Sequence, residues 1–470
     1  MLQLDIEVGP GLSEHQARQI FAQGEEAVIF ALLKLAQLAG DSNLAKPNLS
    51  TPSGMTPPYE KPTANKRKRH KPGRKPGHPP ARRPKPDHVD QHEDHRADCC
   101  PDCGGPLNRC TETRTRYTED IPEDIKPVVT EHTIHRDWCP SCKNKVEPPV
   151  TAALPKSTLG NRILVLSAWL HYALGNTLSQ IVEVFNFHLQ LKISTGGLLV
   201  MWFRLQEILY PWYEQVQHEA LHKAVLHADE TGWRVDGQTH WLWCFADPDL
   251  SFFLIHRSRG SPALERFFLH EFAGTLVTDF WSAYNAVDCA LRQTCLVHLL
   301  RDLEQVDKSK SPTGDWPGFA KKLRRLVGDA IRLWYRRNDV PEAVYDRRRQ
   351  QLQLRLLELI DEPWQGRHPK RLIKRLRRHA DDVLTFLYEA SVPFDNNLAE
   401  RSIRPAVILR KNSYGNRSDQ GADAQAVFMT IFHTLKKRGH NPILTITKAL
   451  TAYLQTGQLP PLPQKVTSPQ

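Results

Sequence analysis

The spacing of apolar residues changes several times along the chain, and each change marks an expected element. From residue 13 to 39 the spacing is helical: Phe21, Val28 and Leu35 recur every seven residues, with Ala31 and Leu38 between them. That period suits a self-association seam as well as an ordinary amphipathic helix. Ser13 with Gln16 makes a capping box at the start, and Gly24 weakens the pattern. Residues 157 to 222 are again helical, with TLSQIVEVFNFHLQL and TGGLLVMWFRLQEIL on either side of the short KIS segment. This predicts a helix-turn-helix whose second helix is capped by Ser194 or Thr195. A plain three-helix bundle fits too, because Gly196-Gly197 is a poor start for a recognition helix.

Near Ala224 the period shortens to that of strands. AVLHADET is an apolar strand ending in an acid. GQTHWLWCFAD and SFFLIHRS follow as two β-rich runs divided by Pro248-Asp249, then a helix from about Pro262 to His270. GTLVTDFW is a second strand ending in an acid, WSAYNAV is helical, and QTCLVHLL begins as a strand. Three strands, a helix, a strand, a helix and a strand is the order of an RNase H-like α/β domain. Residues 299 to 392 are helical and strongly basic and read as an insertion, with faces that are either solvated or DNA-facing. The α/β unit resumes with a helix from about Asn396.

Composition adds an anion-binding segment and a metal module. The whole net charge of +11 is matched by eleven Lys or Arg, with no acid, between Lys61 and Pro86. Lys66, Arg67, Lys68, Arg69, Lys71, Arg74 and Lys75 are the expected DNA contacts there. GRKPGH, an extended cationic strand, could lie in a narrow minor groove or bind phosphates without regard to sequence. The surrounding Ser/Pro and Lys/Arg/Pro composition cannot bury a core. Four of the nine cysteines form CPDC (Cys100, Cys103) and CPSC (Cys139, Cys142). Paired C-x-x-C turns supply the four thiolates of one structural zinc ion, as in a zinc ribbon with YTEDIPEDIKPVVTEHTIHRDW as its strands. Cys99 and Cys110 are expected to be spectators, although Cys99 could replace Cys100. No apolar run approaches the roughly 20 residues that cross a membrane. No signal-peptide order is present either, so a cytoplasmic, nucleoid-associated location is expected.

Asp229 in HADET and Asp279 in TDFW fall on strands that are neighbours in the RNase H-like topology. Two carboxylates there could share metal ions, and a third must come from elsewhere. In VPFDNNLAERSIRP, Glu400 lies in the first turns of a helix and shares one face with Asn396, Asn397 and Arg404. Asp395, at the helix start, reads as a cap. Two magnesium (or manganese) ions on such a set would stabilise the attacking and leaving oxygens of a phosphoryl displacement.

These residues resemble the DDE transposases of the insertion-sequence 66 family of bacteria. The likeness runs through the chain in order: a helical start, the basic linker with KPGH, two C-x-x-C pairs, HADET, TDFWSAYN, CLVH and DNNLAERSIRPAVILRKNSYGNRSDQGA. The resemblance implies an RNase H-like catalytic domain with Asp229, Asp279 and Glu400 as its triad and an upstream zinc domain that helps to recognise element ends. It implies that Cys295 and His298 support the active site or flanking DNA, with Asn396, Asn397, Arg401 and Arg404 as further support and Lys411 as a DNA contact. The expected activity is cleavage at element ends and strand transfer into target double-stranded DNA. The expected assembly is a homodimer or larger on DNA, with companion proteins of the element as further partners and no membrane. The alternatives are a zinc-dependent DNA-binding regulator without catalysis, and an RNase H-like nuclease that cuts without joining.

The chain is thus expected to be multidomain. A self-association helix spans 1–40, the basic linker 41–98, the zinc module 99–150 and a helical DNA-binding domain 151–222. The first part of the catalytic core spans 223–298, the helical insertion 299–392, the last part of the core with the third carboxylate 393–455, and a tail 456–470.

Overall fold

The computed structural model describes residues 14–22, 85–108, 114–308 and 314–466, with five isolated positions between 24 and 32. Ser13, Cys110, the basic residues from Lys66 to Lys75 and part of the seven-residue seam lie outside the described residues. The first helix, α1, is Glu14–Ala22. Gly24 then takes φ +97°, a left-handed conformation that suits glycine and interrupts the helix; Val28, Ile29, Ala31 and Leu32 are helical again. Ile20 is buried and Phe21 is 76% exposed in the single chain.

The centre of the molecule is a five-stranded mixed sheet. Its strands are β3 (Val225–Val235), β4 (Gln238–Ala246), β5 (Ser251–His256), β6 (Phe272–Thr278) and β7 (Cys289–Thr294), in the spatial order β5-β4-β3-β6-β7. Strands β3, β4 and β5 are antiparallel neighbours, while β6 pairs parallel with both β3 and β7. The number of strands and their sequence order are those expected, but the last strand lies earlier: β7 ends at Thr294, and QTCLVHLL, expected to begin as a strand, is mostly the start of a helix. The helix after β5 is α5 (Ser261–Phe267), and WSAYNAV tightens to a single 3-10 stretch, Ser282–Ala286.

Alternation along the strands feeds two cores. Leu226, Ala228, Trp243, Phe245 and Phe252 face one apolar cluster; Trp233, Leu242, Cys244 and Phe253 face another. The second face is covered by α10 (Asn397–Ser413) and by α11 (Asp419–Lys437). The first is covered by α2 (Asn161–Tyr172), α4 (Thr195–Leu221), another side of α11, and α12 (Pro442–Thr456). Ser194 caps α4, its hydroxyl accepting from the Gly197 N–H at 3.1 Å, as the sequence suggested. Yet α4 is no separate recognition helix. Leu198, Trp202, Leu205, Leu209, Trp212 and Val216 are buried at helical spacing in the sheet's own cluster. The boundary expected at residue 222 therefore divides no core. The short helix before the turn, α3 (Leu178–Glu183), carries the capping box Thr177/Gln180.

Between β7 and α10 the chain makes a helical excursion: α6 (Leu296–Lys308), α7 (Trp316–Tyr335), α8 (Glu342–Asp361) and α9 (Arg367–Arg378). These helices have a cluster of their own, built on Leu299, Trp316, Phe319, Leu356 and Leu376, which touches the sheet through Val277. The cysteine module carries one hairpin, β1 (Asp137–Cys139) with β2 (Asn144–Val146). The stretch 114–136, expected as strands, has no regular structure: Val128 and Val129 are about nine-tenths exposed and pack on nothing. No helix among the described residues is long and apolar enough to cross a membrane.

Candidate functional site

The register of two strands brings the first two acids together. His227 on β3 pairs with Val277 on β6 in the last step of their parallel ladder. Asp229 and Asp279 each lie two residues further on, just past the end of that ladder, where alternation sets them on the same face of the two neighbouring segments. Asp279 directly follows β6, but Asp229 does not end its strand: β3 continues to Val235, paired with β4. What ends just before Asp229, at His227, is the parallel ladder, and the acid pocket lies where the two strands part.

Burial raises the Asp229 carboxyl well above the usual carboxylate range, and the negative charges of Glu230, Asp279 and Glu400 push it further. Burial raises Asp279 as well, against the pull of the Trp281 N–H, which donates to its Oδ1 at 2.8 Å, and of Arg259 and Arg375. Glu400, on the first turns of α10, is the third acid that Asp229 senses. Its carboxylate is held in a two-toothed pair by Arg301, at 3.0 and 3.4 Å, with His298 Nε2 at 3.6 Å. Among the described residues no three Asp, Glu, His or Cys side chains gather closely enough to hold a metal ion. The physical reason is plain at this site: three like charges repel, and Glu400 turns to the nearest guanidinium.

The donor set nevertheless fits a hard divalent cation, since it offers carboxylate oxygens whose mutual repulsion such a cation would relieve. A further acid stands beside them. Glu230 is buried and is pushed up to about 7 by burial and by the charge of Asp279. It accepts from Tyr284 Oη at 2.6 Å and from Arg259 Nε and Nη2 at 3.0 and 2.8 Å. Arg259 is clamped between the rings of Trp281 and Trp241, at 3.8 and 4.5 Å from their centroids. This paired acid is a brace on the pocket wall. Glu230, Arg259, Tyr284 and Arg301 escaped the sequence reading, because their pairings join distant segments. The one available signal was their place in the motifs: Glu230 in HADET, and Arg301 one helical turn after His298.

The expected support residues divide. Cys295 is buried and binds both acid-bearing segments: its N–H donates to the Thr278 carbonyl at 2.8 Å, and its Sγ accepts from the Asn396 N–H at 3.2 Å. Asn396, expected on a polar face as a donor to phosphate, is 1% exposed and is spent inside the protein. Its amide donates to the Ala228 carbonyl at 2.7 Å and its Oδ1 meets His227 Nδ1 at 3.0 Å. It therefore ties the start of α10 to the strand that carries Asp229. His298 is pushed down by burial, and its Nδ1 is buried without a hydrogen-bond partner among the described residues. Asp395 lies one position before the N-cap residue Asn396 and accepts from the Asn397 N–H at 3.1 Å, so it serves the helix's first N–H from outside the cap position expected of it. Asn397 is half-buried, whereas Arg401, Arg404 and Lys411 point outward. Beside Lys411, Arg410 turns inward to the Gly232 carbonyl and the Thr231 hydroxyl. Asn416, at the end of the same sequence block, binds Trp233 Nε1 at 2.7 Å and exchanges backbone bonds with β3. Much of what makes that block distinctive is thus its fit to β3.

Each C-x-x-C pair builds its own turn. Cys100 donates its N–H to Gly105 and accepts from Gly104, whose φ is +70°. Cys139 Sγ accepts from the Cys142 N–H at 3.4 Å across the hairpin turn. Backbone N–H groups aimed at sulfur, those of Asp102 and Cys103 in one turn and Cys142 and Ser141 in the other, pull the Cys100 and Cys139 thiols below the usual range. Exposed thiols with such donors suit a thiophilic cation. The two turns do not converge into one four-sulfur group.

The family model described as "Transposase IS66 family" matches residues 156–424, and that of the "zinc-finger binding domain of transposase IS66" matches residues 97–143. The chain belongs to the IS66 family of transposases. Within this IS66 chain, the larger match takes in α2, α4, the sheet, the excursion and all three acids, and the smaller one takes in all four paired cysteines. Residues 97–143 are accordingly a zinc-binding module. Two relatives come from Sinorhizobium fredii. The uncharacterized protein y4jD is 24% identical over 399 residues, covering 75% of this chain and 74% of that protein. The uncharacterized protein y4qI is 24% identical over 245 residues, covering 46% of this chain and 44% of that protein, so the chain spans less than half of its length.

Proposed function

We propose that this IS66-family chain is a DDE-type transposase that cleaves DNA at element ends and joins the freed ends to target DNA, using Asp229, Asp279 and Glu400. The observation that carries the reading is the shared register of Asp229 and Asp279 at the parting of β3 and β6, with Glu400 brought alongside by the Asn396 and Cys295 contacts. The topology supports an RNase H-like catalytic core. Two divalent cations held by the three acids would supply charge neutralisation at the attacking and leaving oxygens. In the first step water attacks the phosphorus at an element end and the P–O3′ bond breaks, leaving a 3′-hydroxyl on the element and a 5′-phosphate on the flank. That hydroxyl then attacks a phosphorus of the target, releasing a new 3′-hydroxyl there.

The chain's own part is placement and charge. Arg301 keeps the Glu400 carboxylate at the pocket in the absence of metal, and the Trp281 N–H fixes one oxygen of Asp279. The Arg259–Glu230–Tyr284 brace keeps the wall behind Asp229 rigid. Double-stranded DNA is the partner, bound as ends by the zinc module and by the Lys66–Lys75 segment, and the working unit is a dimer or larger. The test is a strand-transfer assay in magnesium on a duplex bearing the element end. Joined products support the reading; cleavage without joining makes the protein a nuclease, and binding alone makes it a regulator.

A further inference from the structure

Helix α9 carries a charge arrangement that neither the fold nor the acid pocket explains. Its twelve residues, RHPKRLIKRLRR, include seven Lys or Arg and no acid. Its apolar face, Pro369, Leu372, Ile373 and Leu376, is buried in the excursion's core. At about 100° per residue, Arg367, Arg371, Lys374 and Arg378 fall within roughly 60° of one another, on the side opposite that core. All four are exposed, and none makes an ion pair or hydrogen bond among the described residues. Elsewhere on the excursion many surface cations are paired: Lys322 with Glu362, Arg324 with Asp307, and Arg332 and Arg355 with Asp329. Within α9 itself, Lys370 and Arg377 do have partners, Gln365 and the Ile360 carbonyl.

The helix is also tied to the acid pocket. Arg375 pairs with Asp302 on α6 and lies over the Phe280 ring at 4.3 Å, next to Asp279. Partial desolvation lowers the Arg371 guanidinium; Asp302 pulls it up, and the neighbouring charges of Arg375 and Arg367 pull it down. Four aligned cations left unpaired in this way repel one another and are stabilised by an external polyanion. The stripe is about 16 Å long at 1.5 Å per residue, the axial length of roughly five phosphate steps on one strand of a duplex.

We propose that α9 is a phosphate-backbone track for duplex DNA, with Arg367, Arg371, Lys374 and Arg378 bound to successive phosphates of the strand that Arg375 leads to the acid pocket. The contact is sequence-blind, because it reads phosphate and not base edges. It deepens the transposase reading and rests on it for the direction of the strand, but the binding itself is measurable without chemistry.

The experiment uses the full zinc-loaded chain with a short fluorescent duplex of unrelated sequence, titrated over a salt series without magnesium or manganese and without chelator, with folding checked by circular dichroism. The double substitution Arg371→Gln with Lys374→Gln is expected to reduce the log–log salt slope by about two. The charge-preserving pair Arg371→Lys with Lys374→Arg is expected to keep the wild-type slope. A control pair on α8, Arg347→Gln with Arg348→Gln, is expected to leave it unchanged. An unaltered slope in the α9 variant overturns the proposal, as does an equal loss in the control pair, which would make the effect one of bulk charge. Because neither magnesium nor manganese is present, an inert acid pocket would leave the slope loss standing. Conversely, cleavage by the wild-type chain would survive a failure of the track.

Discussion

The acid pocket and the cysteine module are two sites whose donor groups suit metal ions, and they differ in how they are built. The acids sit on a sheet with buried clusters on both faces, and buried hydrogen bonds through Cys295 and Asn396 fix the segments that carry them. The cysteines sit on two short turns, the second of them the tip of a small hairpin, with exposed Val128 and Val129 in the stretch between the turns. Each turn is formed locally, but nothing apolar draws the two together. The segments that carry the acids are thus preorganised by the fold, whereas the proposed role of the ion in the cysteine module is to bring its two turns together.

The sharpest way to break that comparison is to remove metal. Chelation of the purified protein is expected to abolish the order of residues 99–150 while leaving the sheet intact. Hydrogen exchange resolved by segment would show it, and protection lost equally from β3 and β6 would refute the contrast. Next in size are the acids. Asp229→Asn, Asp279→Asn and Glu400→Gln should each lower strand cleavage by about three orders of magnitude or more, if each ligand carries roughly 4 kcal/mol of transition-state stabilisation. The melting temperatures of the two Asp variants should hold or rise, because each change removes a charge from a repelling set, whereas Glu400→Gln also weakens the Arg301 pair and should gain less. A variant that melts early would mean that the charge belongs to the fold.

The pocket's scaffold has its own weak point. His433 on α11 is buried against Phe253 with its Nε2 unpartnered among the described residues, and burial pushes it down to about 4 from the ordinary 6.5. A folded-state value below the unfolded one means that the stability is present above 6.5 and lost as pH falls toward 4. The loss is about 3 kcal/mol. Denaturant titrations of the wild type and His433→Leu across this window check the sign: the variant should lose less. The smallest effect is at the helix start. Asp395→Ala should cost about 0.5–2 kcal/mol of stability and spare part of the cleavage activity. If Asp395→Asn stops strand transfer and Glu400→Gln does not, the roles of the two acids are reversed.

The same contrast governs what the sequence disclosed. Strand order was legible because period-two alternation is a local signal, and once the order is known the register of Asp229 and Asp279 follows. The C-x-x-C turns were legible for the same reason, each being complete within a few residues. Asn396 was misread because its amide meets Ala228 from 168 positions away, and helical spacing alone put it on the polar face. The helices of 161–221 looked like a separate unit because nothing in their own periodicity shows that Trp202 and Leu209 pack in one cluster with Phe245 and Phe428. Arg301 and the Arg259–Glu230–Tyr284 brace were hidden likewise: charge pairing between distant segments has no period.

The Cys295–Asn396 bond has one further consequence. These residues stand 101 positions apart in the chain, yet they touch, and next to them the Leu296 N–H donates to the Phe394 carbonyl at 2.9 Å. The whole helical excursion therefore leaves and returns through a single gate. Topologically it is a side branch, closed by its own neck and packed around its own core. A branch of this kind can lengthen, shrink or be exchanged for another without re-threading the sheet, provided the neck is kept. For an engineer, that neck marks a splice point where a different helical module could be grafted onto the same sheet.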